Sequence, residues 1–308
     1  MFNLNDIISI KDFTREDIEY IIDKASSMEN IAKSKEVSND LNGKILGLMF
    51  FEPSTRTKLS FETSMKRLGG ECIGFESSIS SSVSKGESIA DTAKMFEGYC
   101  DVLAIRHEME GVSKFISDIV NVPVINAGDG AGQHPTQTLL DLYTIKNEIG
   151  SIDNLRIAMV GDLKYGRTVH SLSHALTLFD NVKIYMVSPS ELKMPQEILH
   201  DIDNTSVTYE EVDSLESVID KIDVLYVTRI QKERFGDIED YLKIKGAYIV
   251  NKKLLKDNDL IVMHPLPRID EISGDVDDTK FNRYFKQAFN AVPVRMAILK
   301  TLIEMNPK

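Results

Sequence analysis

The chain has few cysteines, fewer basic than acidic residues and no long apolar run. Its 308 residues include only two cysteines, Cys72 and Cys100, and their spacing fits neither a metal site nor a redox motif. A secreted scaffold would carry more, so the compartment is predicted to be reducing. No apolar run reaches the roughly 18 residues that span a bilayer. Residues 1–10 lack the basic start and apolar centre of a signal peptide. We therefore expect a cytoplasmic protein.

The excess of acidic over basic residues also limits the possible partners. There are 36 Lys and Arg against 48 Asp and Glu, a net charge of −12 with His neutral. Such a surface repels phosphate backbones and anionic lipids. Nucleic acid and membranes are therefore predicted not to be partners. The remaining composition, 42% apolar and 27% charged, is ordinary for a soluble globular protein of about two domains.

The hydrophobic periodicity predicts an α/β fold. Short runs rich in β-branched residues alternate with longer segments of helical period, which is typical of βαβ units and a parallel sheet. Strands are predicted at 44–51, 71–75, 102–106, 123–127, 155–161, 182–187, 207–209, 224–228 and 260–264. Helices are predicted at 14 to about 28, 55–68, 88–99, 112–119, 135–149 and 281–305, the last with a break at Pro293. We interpret this as two doubly wound parallel-sheet domains joined by helices. These are residues 1–149, on which the helix 290–308 packs back, and residues 150–289.

The first candidate binding motif is Phe-Phe-Glu-Pro-Ser-Thr-Arg-Thr at residues 50–57. It leads from a buried strand directly into a helix. The free N–H groups and the positive end of the dipole at a helix N-terminus favour an anion, and two hydroxyls with a guanidinium add further donors. The motif therefore predicts a phosphate cradle. The alternative is an ordinary helix cap with a surface arginine.

Arg106 ends the third predicted strand. In open α/β sheets, ligands gather at the carboxyl ends of the strands, so an arginine there is a site candidate. The alternative is a surface arginine paired with Glu108 or Glu110.

A glycine-rich turn at residues 128–133 delivers His134 to the start of a predicted helix, with Gln137 three residues further along the same face. A histidine beside a helix N-terminus has its protonation disfavoured, so neutral imidazole can donate a hydrogen bond and polarise a carbonyl. Both side chains could then address one small ligand. The alternative is an ordinary helix start with an incidental histidine.

The second half carries a motif, at residues 161–168, that has the spacing of a P-loop. Arg167 stands where that motif requires lysine, no later strand ends in a convincing magnesium-binding aspartate, and the middle glycine of a dinucleotide fingerprint is missing. What remains is an arginine at a helix N-terminus, which suits a carboxylate as well as a phosphate.

Two further strand ends supply polar groups. Alternation places Arg229 and Gln231 on one face, and the prolines at 265 and 267 fix a backbone whose carbonyls could accept N–H groups from a ligand. The alternatives are a solvated arginine and an ordinary proline turn. These motifs contain no lone nucleophile, no metal-ligand cluster and no acid–base carboxylate pair. Such a site would act by positioning and electrostatics, without metal or cofactor.

Over nearly its whole length, the chain resembles the catalytic chains of the aspartate carbamoyltransferase family. The resemblance rests on Ser-Thr-Arg-Thr, His-Pro-Thr-Gln, Tyr-Gly-Arg-Thr, His-Pro-Leu-Pro and the closing Pro-Val-Arg. It implies an N-terminal carbamoyl-phosphate domain and a C-terminal aspartate domain. It also implies attack of the L-aspartate amine on the carbamoyl carbon, through a tetrahedral intermediate, with loss of phosphate. This transferase step produces N-carbamoyl-L-aspartate in de novo pyrimidine biosynthesis.

The resemblance also implies roles for individual residues. The phosphate would be held by Ser54, Thr55, Arg56 and Thr57, assisted by Arg106. The carbamoyl oxygen would be polarised by His134, Arg106 and Thr57. The carbamoyl amide would be held by Gln137 and the main-chain carbonyls of Leu266 and Pro267. The carboxylates of aspartate would be held by Arg167, Arg229 and Gln231. In a catalytic homotrimer with shared sites, a serine-rich loop of the neighbouring subunit would contribute Ser81 to the phosphate and Lys85 to the phosphate and aspartate.

Ornithine carbamoyltransferase is the nearest alternative, but it typically has cysteine where this chain has Pro265. Ornithine carries an extra amine, which a pocket containing Arg167 and Arg229 would repel. A non-catalytic scaffold of the same fold would have lost at least one site residue, and none is lost. The sequence leaves open whether regulatory chains or a dihydroorotase partner join the trimer.

Overall fold

The computed structural model describes residues 2–77, 86–130, 132–230 and 246–306. The chain divides into two compact units. Unit 1 comprises Met1–Tyr143 and Phe289–Lys308, and unit 2 comprises Thr144–Ala288. Each unit has its own parallel sheet, of four strands in unit 1 and five in unit 2. The predicted α/β class with two parallel sheets is therefore confirmed.

Unit 1 has the strand order β2-β1-β3-β4. Its strands are β1 Ile45–Phe50, β2 Glu71–Phe75, β3 Val102–His107 and β4 Val124–Asp129. Its helices are α1 Arg15–Ser34, α2 Thr55–Arg67, α3 Ile89–Tyr99, α4 Val112–Ile119 and most of α5 Pro135–Ile149. Strands β3 and β4 are buried throughout, as expected for a sheet covered by helices on both faces. The chain order reverses between β1 and β3, and such a switch point is where ligands bind in this class of sheet.

Unit 2 has the strand order β7-β6-β5-β8-β9. Its strands are β5 Arg156–Val160, β6 Lys183–Val187, β7 Thr208–Val212, β8 Val224–Val227 and β9 Ile261–Met263. Its helices are α6 Arg167–Leu176, α7 Gln196–Asp203 and the short α8 Lys252–Leu255. A long helix, α9 Tyr284–Met305, begins in unit 2 and ends in unit 1. Within the described residues, no helix is both long and apolar enough to cross a membrane.

Helix α1 begins where the sequence predicts and ends later. The Thr14 hydroxyl accepts the N–H of Asp17, and the Asp17 carboxylate accepts the N–H of Thr14, which is a capping box. The helix continues six residues beyond the predicted end at Met28, because buried Ala32 extends the apolar stripe. Its last residue is Ser34, and Lys35 caps the helix with a left-handed backbone of φ 62°.

The predicted break at Pro293 is wrong. Helix α9 runs through this residue without interruption. A proline inside a helix removes one hydrogen bond and costs about 3 kcal/mol. Residues 291–299 are all buried, however, and burying each large apolar side chain contributes about 1.5–3 kcal/mol. Packing of α9 therefore outweighs the local preference of proline.

Candidate functional site

The N-terminus of α2 is open to an external anion. Ser54 occupies the cap position in an extended conformation, its hydroxyl makes no capping hydrogen bond, and the first turn contains no acidic residue. Within the described parts of the chain, no residue bonds to the hydroxyls of Ser54 and Thr55 or to the guanidinium of Arg56. The first N–H groups of a helix have no partner inside it. This end of α2 therefore offers side-chain and backbone donors to a ligand.

Arg106, near the end of β3, is buried and pairs with Glu52, an acidic residue of the motif at residues 50–57. Its Nη2 lies 3.1 Å from Oε2 of Glu52, and its Nη1 donates to the carbonyl of Ala127 at 3.3 Å. The alternative pairing with Glu108 or Glu110 is not found among its contacts. Burial lowers the pKa of Arg106, while Glu52 opposes that shift. Partial burial, followed by the charge of Arg106, lowers the pKa of Arg56. The guanidinium groups of Arg56 and Arg106 thus lie close enough for the charge of one to act on the other.

Arg295 is a third cation of this region, and the sequence interpretation assigned it no role. Its side chain is fully buried, and its Nη1 donates to the Ser60 hydroxyl and, at 3.4 Å, to the carbonyl of Thr57. Its Nη2 donates to the Thr136 hydroxyl at 3.4 Å. Burial and the charge of Arg106 lower the pKa of Arg295. The signal in the sequence is a single arginine within the apolar stretch 291–299. Only its contacts with α2 and α5 show where its charge acts.

His134 directly precedes α5, and Gln137 lies in the first turn of that helix. His134 is buried, its carbonyl accepts the N–H of Gln137 at 2.9 Å, and its Nδ1 lies 3.4 Å from the Thr136 hydroxyl. The amide nitrogen of Gln137 donates to the buried carboxylate of Asp141 at 2.9 Å. Because a carboxylate only accepts hydrogen bonds, the atom that contacts Asp141 is the amide nitrogen of Gln137. The amide oxygen can then accept a hydrogen bond from another group. The strands β1, β3 and β4 are neighbours and parallel. His134 and Gln137 therefore lie at the same carboxyl end of the sheet as Arg106 and the start of α2.

The P-loop-like turn of unit 2 uses its own backbone donors. The N–H of Asp162 donates to the Thr228 hydroxyl at 3.0 Å, and the N–H of Tyr165 donates to the Asp162 carboxylate at 2.9 Å. Gly161 has φ +113°, and a Cβ there would lie 2.3 Å from the carbonyl of Thr228. The turn is thus packed against Thr228, which follows β8, and the N–H groups of Asp162 and Tyr165 are already used. Arg167, half-buried, is the first residue of α6.

Arg229 lies two residues beyond the end of β8 and is half-buried. It lines a pocket of unit 2 together with Gly161, Thr228 and Tyr248. A cation in such a pocket suits a carboxylate ligand. Of the other predicted site residues, Ser81, Lys85 and Gln231 lie outside the described residues.

The backbone after β9 presents the predicted carbonyl acceptors. Leu266 has a left-handed backbone with φ 57°, and the Leu266–Pro267 peptide bond is cis. None of the described residues donates to the carbonyl of Leu266 or of Pro267. Both oxygens can therefore accept N–H groups from a ligand. Across the described residues, no group of three or more His, Cys, Asp or Glu side chains is arranged to hold a metal ion.

The fold and these residues define an α/β protein of two parallel-sheet units, each with arginine side chains near the carboxyl ends of its strands. The model of the aspartate/ornithine carbamoyltransferase carbamoyl-P binding domain matches residues 5–147. The model of the Asp/Orn binding domain of the same family matches residues 153–302. The chain belongs to the aspartate/ornithine carbamoyltransferase family, as its motifs indicated.

Individual relatives agree with this assignment. The aspartate carbamoyltransferase catalytic subunit of Methanobrevibacter smithii is 76% identical over 100% of this chain and 98% of that protein. The catalytic subunit of M. jannaschii aspartate transcarbamoylase has a TM-score of 0.93 at 54% identity, covering 98% of this chain and 99% of that one. The Trypanosoma cruzi aspartate transcarbamoylase in complex with N-(phosphonacetyl)-L-aspartic acid has a TM-score of 0.90 at 41% identity, covering 96% and 95%.

Proposed function

We propose that the chain transfers the carbamoyl group of carbamoyl phosphate to the amine of L-aspartate, releasing phosphate and N-carbamoyl-L-aspartate. This is the committed condensation of pyrimidine biosynthesis. The observation that carries the proposal is the open N-terminus of α2, where hydroxyls and a guanidinium without described partners stand beside the buried cation Arg106. The relatives described above support aspartate rather than ornithine as the acceptor, and so does Pro265 in place of cysteine.

Unit 1 is assigned to carbamoyl phosphate. Ser54, Thr55, Arg56 and Thr57 hold the phosphate, and Arg106 assists them. The negative charge on the leaving phosphate grows in the transition state, so fixed cations lower the barrier more than they strengthen ground-state binding. Buried Arg295 adds positive charge to the same region without an acidic partner among the described residues.

The carbamoyl carbon is activated by donors to its oxygen. His134, Arg106 and Thr57 donate to the oxygen that becomes an oxyanion in the tetrahedral intermediate. The oxygen of the Gln137 amide accepts an N–H of the carbamoyl group, since Asp141 engages the nitrogen of that side chain. Preorganised donors of this kind need no metal or cofactor for charge stabilisation.

Unit 2 is assigned to aspartate and to the carbamoyl amide. Arg167, Arg229 and Gln231 bind the two carboxylates of aspartate, and the carbonyls of Leu266 and Pro267 accept the carbamoyl N–H groups. Arginine forms paired hydrogen bonds with carboxylates, which fixes the orientation of the amine toward the carbamoyl carbon.

The reaction assay tests the proposal directly. Purified protein given carbamoyl phosphate and L-aspartate is expected to release phosphate and form N-carbamoyl-L-aspartate without added metal or nucleotide. Ornithine in place of aspartate should not be carbamoylated, and succinate should compete with aspartate. Turnover of ornithine comparable to that of aspartate would contradict the substrate assignment. Activity that is lost with a chelator and restored by a divalent ion would contradict the metal-free mechanism.

The assembly is proposed to be a cytoplasmic homotrimer in which Ser81 and Lys85 complete the site of a neighbouring subunit. Closed rings with heterologous contacts allow such sharing. Two inactive variants, Lys85→Ala and His134→Ala, test it. If sites are shared, mixed trimers contain some sites without either lesion and recover part of the activity. No recovery in mixed trimers identified by mass spectrometry would mean that Lys85 serves its own chain.

Size-exclusion chromatography of native material tests whether regulatory chains join the trimer.

A further inference from the structure

The loop 264–268, which follows β9, is organised around a buried histidine. His264 is 1% exposed. Its Nδ1 accepts the backbone N–H of Leu266 at 2.8 Å, and its Nε2 lies 2.6 Å from Oε1 of Glu271. Because Nδ1 is an acceptor, the ring proton is on Nε2 and is donated to the carboxylate. The two contacts together fix both the tautomer and the orientation of the ring.

Glu271 is in turn held on its other oxygen. Its Oε2 accepts the backbone N–H groups of Ile269 and Asp270, each at 3.1 Å. Burial alone would raise the pKa of Glu271, but hydrogen bonds from His264 and the backbone hold that pKa below its usual value. The side chain is therefore a carboxylate with defined partners on both oxygens. It connects the ring of His264 to the segment that follows the loop.

The ends of the loop are also anchored within unit 2. The backbone N–H of His264 donates to the side-chain oxygen of Gln287 at 2.8 Å, and Gln287 is buried. At the other end, the guanidinium of Arg268 contacts both oxygens of Asp277. It also lies over the ring of Tyr284, with its Cζ 4.9 Å from the ring centroid. The backbone between these anchors carries the two carbonyls that no described residue engages.

Leu266 is the residue at which this support matters most. Its φ of 57° lies in the left-handed region, which a bulky side chain rarely adopts unless the surroundings enforce it. The contact from Nδ1 of His264 is made to the N–H of this same residue. The ring of His264 is thus in direct contact with the backbone of the residue that has the left-handed conformation.

We propose that His264 and Glu271 are positioning residues for the carbamoyl amide: the ring, oriented by the carboxylate, sets the Leu266 backbone so that the carbonyls of Leu266 and Pro267 accept the amide N–H groups. The inference rests on the proposed function, in which these carbonyls bind that amide. Inorganic phosphate has no N–H group to offer a carbonyl. Loss of this support therefore weakens ligands that carry the amide and leaves phosphate binding unchanged.

Two variants separate the roles of the two ring nitrogens. In His264→Asn, the side-chain oxygen stands close to the position of Nδ1 and can still accept the N–H of Leu266, while the contact with Glu271 is lost. In His264→Gln, the longer amide can still donate to Glu271, while the acceptor for Leu266 is lost. Ile269→Ala is the matched control, because Ile269 is 68% exposed beside the same loop.

The readout is the Kd of phosphonoacetamide, a stable analogue that carries the amide, compared with the Kd of inorganic phosphate. His264→Gln is expected to raise the Kd of phosphonoacetamide by about tenfold or more, since the partly buried N–H of Leu266 is left without its acceptor. His264→Asn is expected to raise it less, and Ile269→Ala not at all. The Kd of phosphate should stay unchanged in all three. Thermal unfolding identifies variants that fail to fold. If a His264 variant fails, the two Kd values are compared in Glu271→Gln, which keeps the ring but weakens its contact with residue 271.

The outcomes separate the inference from the function on which it rests. The unmodified protein is assayed first, and absence of carbamoyl transfer would contradict the proposed function. If the protein is active, unchanged phosphonoacetamide binding in His264→Gln would overturn the positioning role. The positioning role would also be overturned if a variant weakened the binding of phosphonoacetamide and of phosphate equally. Equal effects of His264→Asn and His264→Gln would overturn it too, because both results would mean that His264 and Glu271 only stabilise the fold.

Discussion

The two units of the chain place a strand, a turn and a helix at comparable points of their sheets, yet the two turns differ in what they can bind. After β1, the hydroxyls of Ser54 and Thr55 have no described partners. After β5, the N–H of Asp162 is already bonded to Thr228, and that of Tyr165 to the Asp162 carboxylate. The donors of the turn in unit 1 are therefore available to an anion, whereas two donors of the turn in unit 2 are already used.

The largest effect is expected from removing the cation of the open turn. Arg56→Ala should lower kcat by about 10²–10³, because the guanidinium stabilises charge that develops on the leaving phosphate. The KM for aspartate should change much less, since aspartate is assigned to unit 2. Steady-state kinetics with both substrates measure this. Lys66→Ala, an exposed change near the other end of α2, is the control. An unchanged kcat would remove Arg56 from this role.

A smaller effect, on the other substrate, is expected in unit 2. Arg229→Ala should raise the KM for aspartate by about 10–100-fold, because a carboxylate loses a charged partner. The inhibition constant of succinate should rise in parallel, and the KM for carbamoyl phosphate should stay close to its original value. Lys253→Ala, on the exposed side of α8, is the control. A change confined to carbamoyl phosphate would show that the division of substrates between the units is wrong.

Hydrogen exchange compares the two turns without any mutation. At about ten times its Kd, phosphate can slow exchange in the region it binds by at most about tenfold. We expect this slowing in the first turn of α2 and none in the first turn of α6. Measurement of the peptides that cover both helices tests the contrast. Equal protection of the two helices would mean that the turn of unit 2 also binds phosphate.

The smallest effect is expected at a carboxylate away from the proposed site residues. Glu97 accepts the backbone N–H of Asn121 at 2.7 Å, and contacts led by the one with Lys94 lower its pKa from 4.5 to about 2. This stabilisation is present above pH 4.5 and is lost as the pH falls toward 2. Glu97→Gln should therefore lower the free energy of unfolding by about 1 kcal/mol or less at pH 7.

Denaturant unfolding at pH 7 and pH 3 measures the effect of Glu97→Gln. The difference from the native protein should be smaller at pH 3, where part of the native carboxylate population is protonated. Glu36→Gln, at an exposed position, should show no difference at either pH. A deficit for Glu97→Gln that grows on acidification would contradict the lowered pKa.

Most of the secondary structure follows from local patterns. The strand β2 and the helices α4 and α5 have the bounds that the periodicity predicts. The turn before α2 could also be predicted from the sequence, because its strand, short polar motif and helix are contiguous in the chain. Pro293 shows the limit of such patterns, since its local preference is outweighed by contacts from distant segments.

The sequence by itself determined the α/β class, the family and the candidate residues at the strand ends, because these depend on residues that are neighbours in the chain. The tertiary structure decided which groups those residues meet. It paired Arg106 with Glu52 rather than Glu108 or Glu110, brought Arg295 to α2 and α5, and supported the backbone of Leu266 through His264 and Glu271. The partners of Arg106 and Arg295 are more distant in the chain than any local pattern reaches. His264, Leu266 and Glu271 are close in the chain, but the orientation of their side chains depends on packing. Periodicity and motif spacing carry no information about such contacts.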